Sequence, residues 1–106
     1  MARIAVVFIQ RFEDSEYRMP AKVFQDAGHE LIHLGVDEGG SIEGSDEKAQ
    51  IRIDKALRDV SVNDFDALLI PGGYHPRRFC FNREEAEFVK KFIESGKPVL
   101  GTRRAD

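Results

Sequence analysis

Residues Arg3 to Ile9 read RIAVVFI, an unbroken apolar run rich in β-branched side chains. A run this short without polar alternation predicts a strand buried on both faces. After a polar loop, DSEYRMPAKVFQDAG places Tyr17, Ala21, Phe24 and Ala27 near helical spacing and closes on Gly28. Pro20 lacks an N–H and crowds the preceding turn, so the expected helix begins within a turn of Pro20 or is kinked there. HELIHLGV, His29 to Val36, predicts a second strand. From Asp37 to Val62, glycines and charges surround two short alternating pieces, which predicts an exposed excursion with a small hairpin.

DALLI, Asp66 to Ile70, predicts a third buried strand, stopped by Pro-Gly-Gly. Asn82 with Glu85 three residues on resembles a capping box. The helix it opens places Ala86, Val89, Phe92 and Ile93 on one stripe, with acids early, lysines midway and Gly96 after its end. PVLG is a fourth strand. Strand, helix, strand, loop, strand, helix, strand is the order of an α/β domain with a flavodoxin-like open, mostly parallel sheet and flanking helices. Two helices for four core strands leave apolar sheet surface without cover in the monomer. A homo-oligomer, with a dimer as the first guess, is therefore expected.

At 106 residues the chain is one domain, spanning 1–106. A hydrophobic share of 42% against 33% charged is that of a globular protein, which excludes a disordered chain. The formal charge of −3 argues against a nucleic-acid surface. No apolar run approaches the roughly 20 residues that cross a bilayer, so no membrane partner is expected. The first residues read as a strand, not a signal peptide. The single cysteine, Cys80, forms no internal disulfide and fits the cytoplasm.

Ligands of open parallel sheets bind beyond the carboxyl ends of the strands. That selects QRFEDSE, PGGYHPRRFCF and TRRAD. In the first, Glu13, Asp14 and Glu16 are crowded carboxylates that raise one another's pKa; acids before a helix also simply cap it, the reading the residues alone favour. Gly72 and Gly73 present bare N–H groups suited to an oxyanion, and equally make a tight turn. His75 stands beside them as a site-rim base or anion contact, a role that a lone loop histidine does not usually have. Arg77 and Arg78 suit an anion or plain solvent, and Cys80 between two phenylalanines reads as a small buried hydrophobe. His29 and His33 are four apart on a strand, which is not a helical ligand pair, and no third ligand is spaced for metal. Neither metal nor cofactor is expected.

Taken in order, RIAVVFI…FEDSEY…P…VFQDAGHEL, DALLIPGG and NREEAEFVKKFIESGKPV resemble the PfpI/ThiJ family of intracellular proteases and deglycases, over essentially the whole chain to Val99. The resemblance implies a flavodoxin-like fold, a cysteine nucleophile at a strand-to-helix elbow, and assembly into dimers or rings. It matches Glu16 to the acid that hydrogen-bonds the nucleophile, Glu13 to a second acid of that loop, and Gly72 and Gly73 to the oxyanion turn. It also shows a departure. Arg103 falls where the cysteine is expected and Arg104 where a histidine is expected, and Cys80 precedes the last helix. A guanidinium stays protonated and is no nucleophile. The expectation is a family domain lacking its nucleophile and inactive by itself. Alternatives are a non-catalytic homo-oligomeric interaction or stress-related binding module, and a flavodoxin-like carrier of a small anion. The change of character over Leu100–Asp106 fits a premature end, a changed reading frame or an independently used short form.

Overall fold

The apolar runs become the centre of a parallel sheet. In the computed structural model, which describes residues 1–8, 14–43, 50–71 and 83–101, β1 spans Arg3–Val7. Every residue from Ile4 to Phe8 is at most 2% exposed, as expected of a strand covered on both faces. Helix α1 follows over Asp14–Asp26, then β2 over Glu30–Gly35. A hairpin pairs β3, Ser41–Glu43, antiparallel with β4, Gln50–Arg52. Next come β5, Lys55–Ala56, and two short 3-10 turns at Leu57–Asp59 and Val62–Asp64. Strand β6 is Ala67–Ile70, α2 is Arg83–Glu94 and β7 is Val99–Gly101.

The main sheet has the order β5-β2-β1-β6-β7, and each neighbouring pair is parallel. Ile4 pairs with Leu31 on one side and Ala67 on the other, so β1 is the middle strand. The chain moves outward from β1 to β2 on one side, and from β6 to β7 on the other. The order therefore reverses between β1 and β6, the place where such sheets hold ligands. The flavodoxin-like expectation holds, with five strands instead of four in the sheet. The extra one, β5, is two residues long and too short to leave a periodic signature.

Three expectations change. Of the two readings of Pro20, a helix start within a turn of it does not hold: α1 begins at Asp14 and carries Pro20 inside, as the second reading has it. It ends as predicted on Gly28, whose φ of 88° suits glycine. There Gly28 N–H donates to the Gln25 carbonyl at 3.0 Å, and His29 N–H to the Phe24 carbonyl at 3.0 Å, a Schellman end. The buried stripe of α2 is Phe88, Val89 and Phe92, while Ala86 is exposed and Ile93 is 51% exposed. Phe65, itself 1% exposed, meets Phe88 edge-on at 6.2 Å, and that contact brings Phe88 into the buried face of the helix. The proposed Asn82 cap lies outside the described residues.

The third change concerns the excursion. It is not simply exposed: Ile51, Ile53, Ala56 and Leu57 are buried, and Ile51 and Leu57 belong to the core. Ile53 is tied by its N–H to the Gly40 carbonyl at 2.7 Å and by its carbonyl to Gly39 N–H at 2.9 Å. The alternation of Ile51 and Ile53 points both at the sheet, a period-2 effect that the surrounding charges concealed. Lys97 closes the far end, its Nζ donating to the carbonyls of Val62 at 3.0 Å and Phe65 at 2.8 Å. Among the described residues, no helix is long and apolar enough to cross a membrane.

Candidate active site at the carboxyl ends of the strands

Strands β1, β6 and β7 are neighbours and end at Val7, Ile70 and Gly101. The three segments selected from the sequence thus leave adjacent strands on one edge of the sheet. Phe8, 2% exposed, and the fully buried Pro71 anchor the first two exits. Glu13, Gly72, Gly73, His75, Arg77, Arg78, Cys80, Arg103 and Arg104 lie outside the described residues. Glu16 is in the first turn of α1, directly after the β1 exit; its side chain is also outside the described set.

What the structure brings together there is a cluster unforeseen as a unit. The Tyr17 hydroxyl is 2.6 Å from His33 Nε2. Asp54 Oδ2 lies 3.2 Å from His33 Nδ1 and accepts from the His33 backbone N–H at 2.8 Å. Phe8 packs against both rings, with centroids 5.3 Å from Tyr17 and 5.8 Å from His33. Burial lowers the His33 pKa, opposed by the Asp54 charge and a hydrogen bond to the Arg52 backbone. Burial raises the Tyr17 hydroxyl, and Asp54 adds to that. Burial thus disfavours the charged form of each ring, the imidazolium of His33 and the phenolate of Tyr17. The sequence suggests His33 only as a metal ligand, and no motif there links it to Tyr17 and Asp54, which come from other parts of the chain. Among the described residues no group of three His, Cys, Asp or Glu is placed to hold a metal ion.

A separate hollow of about 670 Å³ lies between α2 and the 3-10 turns, with Leu57, Val62 and Phe88 in its lining. Its described lining comes from the 3-10 turns, α2 and the residues next to them.

Parallel order, switch point and acid-bearing first turn define a flavodoxin-like α/β domain of the kind that places chemistry at its strand tips. The DJ-1/PfpI family model matches residues 2–101, and the chain belongs to that family. It is 43% identical over 98 residues to General stress protein 18 of Bacillus subtilis, and 40% identical over 98 residues to Protein/nucleic acid deglycase 2 of Escherichia coli. In each case the match takes in 92% of this chain and 57% of the relative. The chain thus spans little more than half the length of these relatives. The crystal structure of a two-domain protein from Anabaena variabilis, with DJ-1/ThiJ/PfpI-like and ferritin-like domains, superposes with a TM-score of 0.81 at 28% identity. That likeness covers 95% of this chain and 29% of the other.

Proposed function

We propose that this chain is a PfpI/ThiJ-type protease/deglycase-family domain that lacks the nucleophilic cysteine and is catalytically silent by itself. The observation that carries the reading is β7. It stands beside β6 in register, with Ile70 opposite Gly101, and two residues further along the chain comes Arg103, where the family resemblance expects a thiol. Family membership and a relative named as a deglycase support the reaction class. In this reading Glu16 and Glu13 are the retained acids and Gly72 and Gly73 the oxyanion turn. It calls for no metal or cofactor, and the lone Cys80 is compatible with a cytoplasmic setting.

Turnover of methylglyoxal and of a fluorogenic peptide by the purified chain, with and without Cys80→Ser, tests it. No thiol-dependent turnover is expected, and clear turnover abolished by Cys80→Ser would overturn the reading. Arg103→Cys alone is expected to restore nothing, since a nucleophile elbow depends on the helix that follows it.

A second reading, a homo-oligomeric interaction module, is favoured by apolar side chains that the monomer leaves open. Met19 and Val23, four apart on α1, are 71% and 65% exposed, and a helix face of that kind suits a second copy. Sedimentation over a hundredfold concentration range tests it: a dimer is expected, and a compact monomer throughout refutes the oligomer.

A further inference from the structure

The hollow between α2 and the 3-10 turns, about 670 Å³, falls within the roughly 300–1,000 Å³ of small-molecule sites. Its α2 wall is a single ridge. Glu84, Phe88, Lys91 and Ser95 line it at steps of four, three and four residues, the spacing that keeps side chains on one face of a helix. The floor is apolar: Phe88 is 6% and Leu57 5% exposed, and Val60 and Val62 pack half-buried against the same core.

Two opposite charges on that ridge are left without a partner. Arg58 and Glu87 also line the hollow, but Arg58 donates to the Val36 carbonyl at 2.9 Å and Glu87 accepts from Arg83 Nε at 3.3 Å. The Ser61 and Ser95 hydroxyls are engaged with backbone groups. Among the described residues, Glu84 and Lys91 have neither an ion pair nor a side-chain hydrogen bond, and the Asn63 side-chain amide has none either. Asn63 stands at the Lys91 end, since the neighbouring Val62 carbonyl takes the ammonium of Lys97 just past the end of α2. Lys91 follows Glu84 by seven positions, about 10 Å along the axis at about 1.5 Å per residue. That is beyond the spacing at which charges on one helix pair. The hollow thus offers an anion at one end, an apolar floor, and a cation with an amide at the other.

We propose that this hollow binds a short zwitterionic peptide of about three residues. Its ammonium meets Glu84, its carboxylate meets Lys91 and Asn63, and an apolar side chain rests on Phe88 and Leu57. An extended chain rises about 3.3 Å per residue, so three residues match the separation of the two charges. A single amino acid carries both charges on one carbon and does not reach both ends. A simple anion or cation is disfavoured as well, because the lining holds two side chains of each sign. The site lies on a helix wall and not at the strand tips, so it goes beyond the reading of the chain as a silent protease/deglycase-family domain.

Nitrogen-15 NMR titration of the full chain with alanyl-leucyl-alanine tests it. Saturable shifts are expected at the amides of Asn63, Phe88 and Lys91. The N-acetylated and the C-amidated peptide are each expected to bind about twofold to fivefold more weakly, the worth of an exposed ion pair. Free leucine is expected to bind more weakly than either. Lys91→Met is expected to abolish the sensitivity to amidation alone, and Glu84→Gln the sensitivity to acetylation alone, a pairwise coupling that general loss of structure does not imitate. The free and blocked peptides on the unchanged chain decide the question even where a variant fails to fold. No saturable shift up to about 10 mM peptide, too weak for a built site, overturns the proposal, and so does equal affinity for free and blocked peptides. Shifts of the same amides that grow with protein concentration in the absence of peptide would make a second copy the occupant and overturn it too. Thiol-dependent turnover would sink the functional reading and leave these results standing, so the two failures are distinguishable.

Discussion

Replacing Gly35 by alanine tests whether the excursion covers the sheet as the structure has it. Gly35 ends β2, and a Cβ built on it would lie 2.7 Å from Cδ1, 2.9 Å from Cγ1 and 3.3 Å from Cγ2 of Ile53. Carbon atoms pack at about 3.5–4.0 Å, so the closest contact is roughly 1 Å too short. A flexible side chain would swing aside cheaply. Ile53 does not have that freedom, because its branched Cβ is stiff, it is 3% exposed, and its backbone is bonded on both sides to Gly39 and Gly40. The strain must spread into the hairpin, at the cost of about 1–3 kcal/mol typical of overpacking. Against a total of about 5–15 kcal/mol that is a large share. It corresponds to a fall in melting temperature of roughly 5–20 °C for a domain of this size. Urea unfolding followed by far-ultraviolet circular dichroism measures the loss. Ile53→Ala alone is expected to cost about 2–5 kcal/mol through the cavity it leaves, but the double variant should cost less than the sum by about 1 kcal/mol or more. Gly35→Ala within about 0.5 kcal/mol of wild type, or strict additivity with Ile53→Ala, would show that the excursion does not press on β2.

Phe92→Ala, at a side chain of 0% exposure beside Phe88, is expected to cost about 3–5 kcal/mol, whereas Ile93→Ala should stay within about 0.5 kcal/mol; comparable losses in urea would mean that α2 is rotated from its described face. Lys97→Met removes two hydrogen bonds to the carbonyls of Val62 and Phe65 and should cost about 1–3 kcal/mol in the same assay; no loss would show that the ammonium is free in solution. For pH, His33 is lowered by burial when folded, so the unfolded chain takes up the proton first. Its contribution is present above about 6.5 and is lost as pH falls through the folded value. Tyr17 is raised by burial, so its contribution is present below about 10 and is lost as pH rises through the folded value. The melting temperature should therefore be flattest between about 6.5 and 10, with a shallower acid limb in His33→Gln; an acid limb identical to wild type would refute the assignment.

Much of the architecture was legible because long-range burial leaves a local imprint. RIAVVFI and DALLI are apolar without alternation because each is covered on two faces, and the two helices announce themselves by glycine stops and spaced aromatics. Other features had no such imprint. Pro20 reads as a helix start or an interior kink from backbone chemistry alone, and only the structure shows that the helix runs across it. The stripe of α2 is turned so that Phe88 replaces Ala86, because Phe65, distant in sequence, occupies the facing position. The candidate site divides in the same way: the family resemblance proposes Glu13, Glu16, Gly72 and Gly73 as its candidates, while no motif links Tyr17 to His33 and Asp54.

By itself, then, the sequence determined the class of fold, the parallel strands and the family. These depend on residue type and short spacing, which the chain displays directly. Only the tertiary structure decided that Ile51 and Ile53 turn inward to cover the sheet, that a two-residue strand extends its edge, and that a tyrosine, a histidine and an aspartate from three separate elements share one hydrogen-bonded chain. Contacts 16 and 21 residues apart are set by strand register and by how the connections pack, and neither has a period that can be read along the chain.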